Sequence, residues 1–189
     1  MKRTQIASAV GDVVRAYTTD IAYPFRMNTG FAGDINRAHP FSAEPNQNNA
    51  TNPLDIYGNA VIVDAATNTV RKMLATDTAV TAIYGIGVRP FPTQQLSGGP
   101  AAAIGVASVN TNMPLDVLRA GYFFSKVSGG GTPAKDGAVY VWIAASTGNH
   151  VQGGFETTAS GGNTIAVTNV FWNGPAGADG VAELVIRVR

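Results

Sequence analysis

Apolar and polar positions alternate most clearly along residues 79–92, AVTAIYGIGVRPFP. Val80, Ala82, Tyr84, Ile86 and Val88 share one face at period two, and Thr81, Ile83, Gly85, Gly87 and Arg89 share the other. β-Branched and aromatic residues favour an extended chain, and Pro90 and Pro92 end it where backbone donors are lost. The pattern predicts a strand over 79–88 that completes an antiparallel meander with strands over 57–63 and 69–74. Asp64-Ala65-Ala66-Thr67-Asn68 supplies the first turn and Asp77-Thr78 the second. Gly85 and Gly87, two residues apart on one face, leave room there for another backbone or another chain.

Before this meander, short strands are predicted over 23–27 and 31–36, separated by Asn28-Thr29-Gly30. Residues 38–53 are rich in proline and asparagine and lack periodicity, which predicts a long loop. Long loops of this kind tend to be functional or interfacial. Asn49-Ala50-Thr51 within it is a formal glycosylation sequon, read as fortuitous because no secretion signal accompanies it. Residues 1–19 fit two arrangements equally. Ile6, Val10, Val13, Val14 and Tyr17 fall on one helical face, yet Gly11 and the β-branched content suit an extended arm lying on a neighbour.

After the meander, the Gly-, Pro- and Ala-rich run 94–103 reads as a boundary or crossover. Six further strands are predicted, over 104–109, 117–127, 138–144, 151–158, 164–172 and 181–188. Gly129-Gly130-Gly131, Ser146-Thr147-Gly148-Asn149, Gly161-Gly162-Asn163 and Gly174-Pro175 mark turns between them. Strands at this spacing point to a sandwich or barrel. The expected organisation is an arm over 1–19, a first β region over 20–95 and a second over 96–189, the last two separate or continuous.

Composition changes the picture in one respect. Charged residues are 13% of the 189, against roughly 25% in ordinary soluble domains. Glycine, at 22 residues, is over-represented. A free monomer normally carries more surface charge, so neighbouring subunits are expected to cover much of this one. The net charge of +1 gives no general attraction to nucleic acid or membranes. No apolar run approaches the ~18 residues of a membrane span, and the start is too soon broken by Asp12 and Arg15 for a signal peptide. Synthesis in the cytosol is therefore expected. The chain has no cysteine, which excludes disulfides and thiolate chemistry.

Several stretches resemble the head decoration, or cement, proteins of tailed bacteriophages. They are Gly33-Asp34-Ile35-Asn36-Arg37, residues 53–61 with Tyr57-Gly58-Asn59-Ala60-Val61, Val70-Arg71, and above all Tyr84-Gly85-Ile86-Gly87-Val88-Arg89-Pro90-Phe91-Pro92. Asp136-Gly137-Ala138-Val139-Tyr140-Val141 and the closing run 180–186 are similar in style. The resemblance spans roughly residues 20–189. It implies an all-β protein, an antiparallel β-sandwich or barrel (β-tulip-like); the extended N-terminal arm expected here is where this chain departs from that pattern. It further implies a homotrimer on the outer surface of the virion, bound to the major capsid protein lattice and made in the bacterial host cytoplasm. It carries over no catalytic residue, cofactor or small-molecule substrate.

Candidate chemistry is sparse. His39 and His150 stand alone, without metal-ligand spacing. The glutamates Glu44, Glu156 and Glu183 are far apart in sequence, so a glycosidase pair would need distant strands to unite two of them. Neither Gly85-Ile86-Gly87 nor Gly129-Gly130-Gly131-Thr132 continues into a phosphate-binding motif. Basic residues form no stripe with interleaved aromatics. An enzyme is not expected, and no metal or cofactor is implied.

Two sets of contact residues follow. Lys2, Arg3 and Arg15 on the arm, with Asn46, Gln47, Asn48 and Asn49 in the 38–53 loop, are expected to meet the capsid through charge and amide hydrogen bonds. Tyr122, Phe124, Tyr140, Trp142 and Trp172 are expected at subunit interfaces or in the core. The competing function is a carbohydrate- or receptor-binding module. The orientation of Trp142 and Trp172 separates the two: buried rings favour the cement reading, and an exposed aromatic groove favours the binding module.

Overall fold

The computed structural model describes residues 30–89 and 109–187. The arm, the 23–27 strand, the 94–103 crossover and nearly all of the 104–109 strand lie outside the described residues. The described chain is all-β, with ten strands and one 3-10 turn at Gly161–Asn163. The strands are β1 (Ser42–Gln47), β2 (Ala60–Asp64), β3 (Thr69–Lys72), β4 (Gly85–Val88), β5 (Pro114–Lys126), β6 (Val139–Trp142), β7 (Phe155–Glu156), β8 (Thr164–Val167), β9 (Val170–Trp172) and β10 (Val181–Ile186).

They form an antiparallel sandwich. A seven-stranded sheet runs β3-β2-β4-β5-β10-β9, with β1 also paired to β5, and faces a three-stranded sheet in the order β7-β6-β8. The organising element is β5. Its first half pairs with β4 and β1, and its second half with β10. Between the halves Gly121 adopts φ +131°, and an added Cβ there would lie 2.8 Å from that of Phe41. The strand bends at a position that only glycine fits well.

Two cores flank the larger sheet. The main one lies between the sheets and joins Ile86, Leu118, Phe123, Trp172 and Leu184 to Val141, Phe155 and Ile165. The smaller one, Leu54, Val61, Val70, Leu115 and Val117, lies on the opposite face. A parallel bridge from Asn48 to Val70 curls the sheet towards itself there without closing a barrel. β4 is sandwiched between the two cores, so all four of its residues are buried. Ile86 and Val88 enter the main core, and the glycine face meets the smaller one. A Cβ on Gly87 would sit 2.0 Å from Leu54 Cδ2, and one on Gly85 2.4 Å from Val117 Cγ1. The room that these glycines leave is filled by the chain's own side chains.

The β2–β3 hairpin forms where its pattern predicts. Five segments differ from expectation, among them the predicted 151–158 strand, which is extended only at β7 and otherwise made of turns and bends. Residues 79–84 are turns, because Asp77 caps the bend with its carboxylate on Leu74 N–H and its carbonyl on Val80 N–H. The Asn169 side chain then takes both backbone groups of Ile83, leaving them no strand partner. The predicted 31–36 strand is a turn with one bridge, Ile35 to Phe123. The predicted 164–172 strand is two strands in different sheets, parted where Thr168 bonds Thr81. Finally, the expected loop 38–53 contains β1, an edge strand on β5.

Candidate interaction surfaces

Three of the stretches that carry the family resemblance, around Gly33, Gly58 and Arg89, meet at one joint. Gly33 and Gly58 both have φ +89°, and a Cβ on Gly58 would lie 2.8 Å from Gly33 N. Arg89, 6% exposed, reaches across this contact. Its Nε donates to Ala32 O at 2.8 Å, lies 3.8 Å from Asp34 Oδ1, and its guanidinium sits 5.8 Å from the Tyr57 ring centroid. Gly33 N donates to Phe124 O, and Arg89 N donates to Gly33 O. Burial holds the Tyr57 hydroxyl above its ordinary value, with Arg89 opposing and Asp116 adding to the rise. These residues fasten the segment entering at Gly30 to the large sheet, a structural task.

The loop asparagines divide. Asn48 is fully buried, accepting from Leu54 N and donating to the carbonyls of Leu54 and Asn110. Asn49, also buried, caps the turn at Thr51 and Asn52 and donates towards Asp64, Thr67 and Thr69. Their amides are occupied inside the protomer, which removes both from the surface expected of them. Asn46 is half-buried beside Glu44, and Gln47 is exposed with its amide on Asn112. Lys2, Arg3 and Arg15 lie outside the described residues.

The aromatics divide likewise. Trp172 is 1% exposed and donates Nε1–H to Ala138 O, while Trp142, 4% exposed, donates to Ala145 O and stacks on His150. Neither indole offers a face for a sugar ring, and neither is available to a neighbouring subunit. Tyr122, Phe124 and Tyr140 are half-buried and keep part of their surface outward. Around Tyr122 lies a mixed patch: His39 packs on its ring, and Arg37 sits over Phe41, 42% exposed. Phe31, Ile56 and Met113 are the other large exposed apolar side chains described.

The three glutamates belong to three different hydrogen-bond sets. Tyr84 donates its hydroxyl to Glu44, raising the tyrosine's pKa, and the Arg119 guanidinium sits 3.6 Å from the Tyr84 ring centroid while donating to the Tyr84 carbonyl. Glu156, 2% exposed, takes Ser128 Oγ at 3.1 Å and His150 Nδ1 at 2.7 Å. The carboxylate bridges serine and histidine, so the serine has no imidazole base and the trio lacks the arrangement of a nucleophilic triad. Glu183 accepts from the side-chain amides of Asn36 and Asn173, each at 2.6 Å. It lies in a groove of about 690 Å³ walled also by Gly30, Ile35, Phe124 and Pro175. Among the described residues no three His, Asp or Glu side chains group as metal ligands. Sequence reasoning could not pair Asn36 with Glu183, which are 147 residues apart, nor see that the turns between His150 and Glu156 fold the two onto one another.

Fold and surfaces together define an all-β sandwich whose buried polar side chains serve internal joints and whose aromatic-basic patches face outward. The same fold occurs in a solved structure titled "The capsid of Myoviridae Phage XM1", with a TM-score of 0.61 at 20% identity over 85% of this chain and 92% of that one. The chain belongs to the XM1 gp53 minor capsid protein family, whose model matches residues 21–186. It is thus a minor capsid protein of a phage head. No curated protein sequence matches it.

Proposed function

We propose that the protein is a decoration, or cement, protein that sits on the outer surface of the head, binds the major capsid protein lattice and stabilises it. The observation that carries this reading is the family match over residues 21–186. The burial of Trp142 and Trp172 supports it against the carbohydrate-binding alternative. The physical mechanism is linkage. A protein that binds only the assembled shell adds its binding free energy to the stability of that shell. Contacts to several neighbours reinforce one another, because each later contact forms at high local concentration.

The assembly proposed is a homotrimer. Low charge supports it, and Tyr122, Phe124 and Tyr140 are the aromatic contacts proposed, with Phe41 beside them. Residues 1–19, with Lys2, Arg3 and Arg15, and the surface amides of Asn46 and Gln47 are the proposed capsid contacts. The test adds purified protein back to heads lacking it and measures their melting temperature. A rise that saturates with occupancy is expected. Full occupancy without any rise would leave a bound but non-stabilising protein and end the cement reading.

A further inference from the structure

We propose that Asn173 is a site of spontaneous covalent conversion, its side-chain amide lost through a cyclic imide formed with Gly174. The Gly174 nitrogen gives its proton to solvent base and bonds to Asn173 Cγ. The Cγ–Nδ2 bond breaks, and Nδ2 leaves as ammonia. Water then opens the imide at either carbonyl, yielding aspartate or an isoaspartyl linkage. Amide and water become carboxylate and ammonium, with no change of oxidation state. Three observations select this position. Asn-Gly occurs once, at 173–174, and the related Asp-Gly pairs are Asp136-Gly137 and Asp179-Gly180. Glycine, without a Cβ, crowds the attacking nitrogen least. Second, that nitrogen must be free to lose its proton. Gly137 N donates to Ala134 O at 2.9 Å and Gly180 N to Gly177 O at 3.0 Å, whereas Gly174 N donates to no acceptor among the described residues. Third, the ring needs room. A Cβ on Gly174 would meet nothing within 4 Å, while one on Gly137 would lie 2.9 Å from Ala134 O.

The conversion acts on the joint between β9 and β10. Asn173 donates its backbone N–H to Glu183 O at 2.9 Å and Nδ2 to Glu183 Oε2 at 2.6 Å. Aspartate there sets an acceptor against an acceptor and two carboxylates side by side, and an isoaspartyl linkage adds a methylene to the backbone. Asp34 and Arg37 line the same groove, but Glu183 is the group that the new oxygen touches. The site is independent of where the protein sits on the head. It is tested by incubating the purified full chain at neutral and mildly alkaline pH and mapping its peptides by mass. Asn173 is expected to convert about tenfold faster than any other asparagine, and Gly174→Ala to remove that excess. Alanine fits at 174, where there is open space and φ is not positive. Asn173→Asp, which carries one product from the outset, should melt about 5 °C below the unaltered chain. Conversion at Asn173 no faster than elsewhere would overturn the proposal. So would an excess that survives Gly174→Ala, since the glycine nitrogen would then not be the nucleophile. Faster isoaspartate formation at Asp136 or Asp179 would overturn the selection by a free N–H, and an unshifted Asn173→Asp melting temperature the consequence drawn for the joint.

Discussion

Gly85 and Gly87 face the smaller core, and adding a methyl group to each tests how that core is packed. In Gly85→Ala the new Cβ would lie 2.4 Å from Val117 Cγ1 and 2.7 Å from the Leu118 carbonyl oxygen. A relaxed contact needs roughly 3.5 Å, and Leu118 belongs to β5, which is paired on both sides. The carbonyl cannot withdraw without opening a ladder. In Gly87→Ala the conflict is with Leu54 Cδ2 alone at 2.0 Å, the next atoms lying at 3.5 and 3.6 Å. Leu54 can rotate, although it is fully buried and its backbone is held by Asn48. Overpacking costs about 1–3 kcal/mol, and replacing glycine returns about 0.5–1 kcal/mol through the unfolded chain. The net expectation is a loss of about 2 kcal/mol for Gly85→Ala and about 1 kcal/mol for Gly87→Ala. Leu54→Ala alone should cost about 3 kcal/mol by leaving a cavity. Combined with Gly87→Ala it should cost at least ~1 kcal/mol less than the sum, because the new methyl group fills part of that cavity. Combined with Gly85→Ala no such relief is expected. Urea unfolding with unchanged m-values reads all of these. Additivity of Leu54→Ala and Gly87→Ala to within about 0.5 kcal/mol would refute the packing assigned here.

Four further outcomes follow from the same account. Asn48→Ala leaves the backbone groups of Leu54 and the carbonyl of Asn110 without their partner, and should lower unfolding stability by about 2–3 kcal/mol in urea. Deleting residues 1–19 should leave the circular dichroism of the β fold unchanged while reducing occupancy on heads; replacing 42–50 by a Gly-Ser linker should unfold the protein, since it removes β1 and Asn48. The Asp77 carboxyl is pushed up by burial, but the Arg71 guanidinium and Leu74 N–H outweigh that and hold it below its ordinary value. A depressed carboxyl stabilises the fold above the unfolded value of about 4 and loses that contribution as pH falls towards the folded value. Asp77→Asn should therefore cost about 2 kcal/mol at neutral pH, and its gap in melting temperature from the unaltered chain should narrow below about pH 4.

Where strands alternate over a half-buried face, the sequence was a sound guide. β3, β6 and β10 fall within predicted segments, while β2 overlaps 57–63 but runs on to Asp64 and β5 starts at Pro114, ahead of the segment predicted over 117–127. β1 escaped notice because it is an edge strand with Ser42, Ala43, Pro45 and Gln47 exposed, so burial imposes no alternation on it. Residues 79–84 misled in the opposite way, alternating in sequence while Asn169 and Asp77 hold their backbone in turns. The surfaces were less legible than the fold. Asparagine-rich sequence is compatible with adaptable contacts or with buried caps, and only tertiary position separates Gln47 from Asn48. The tryptophans carry the same ambiguity, resolved by Trp172 lying against Gly137 and Ala138. Three stretches of the family resemblance, separated in sequence, prove to share one joint at Gly33, Gly58 and Arg89.

The cement assignment is tested most directly by reconstructing the phage head at a resolution that traces this chain. The account predicts three copies of it around a common axis on the outer face, with Tyr122, Phe124 and Tyr140 towards their neighbours and residues 1–19 on major capsid subunits. Density for the chain on the inner face, or single copies each touching one capsid subunit, would contradict it.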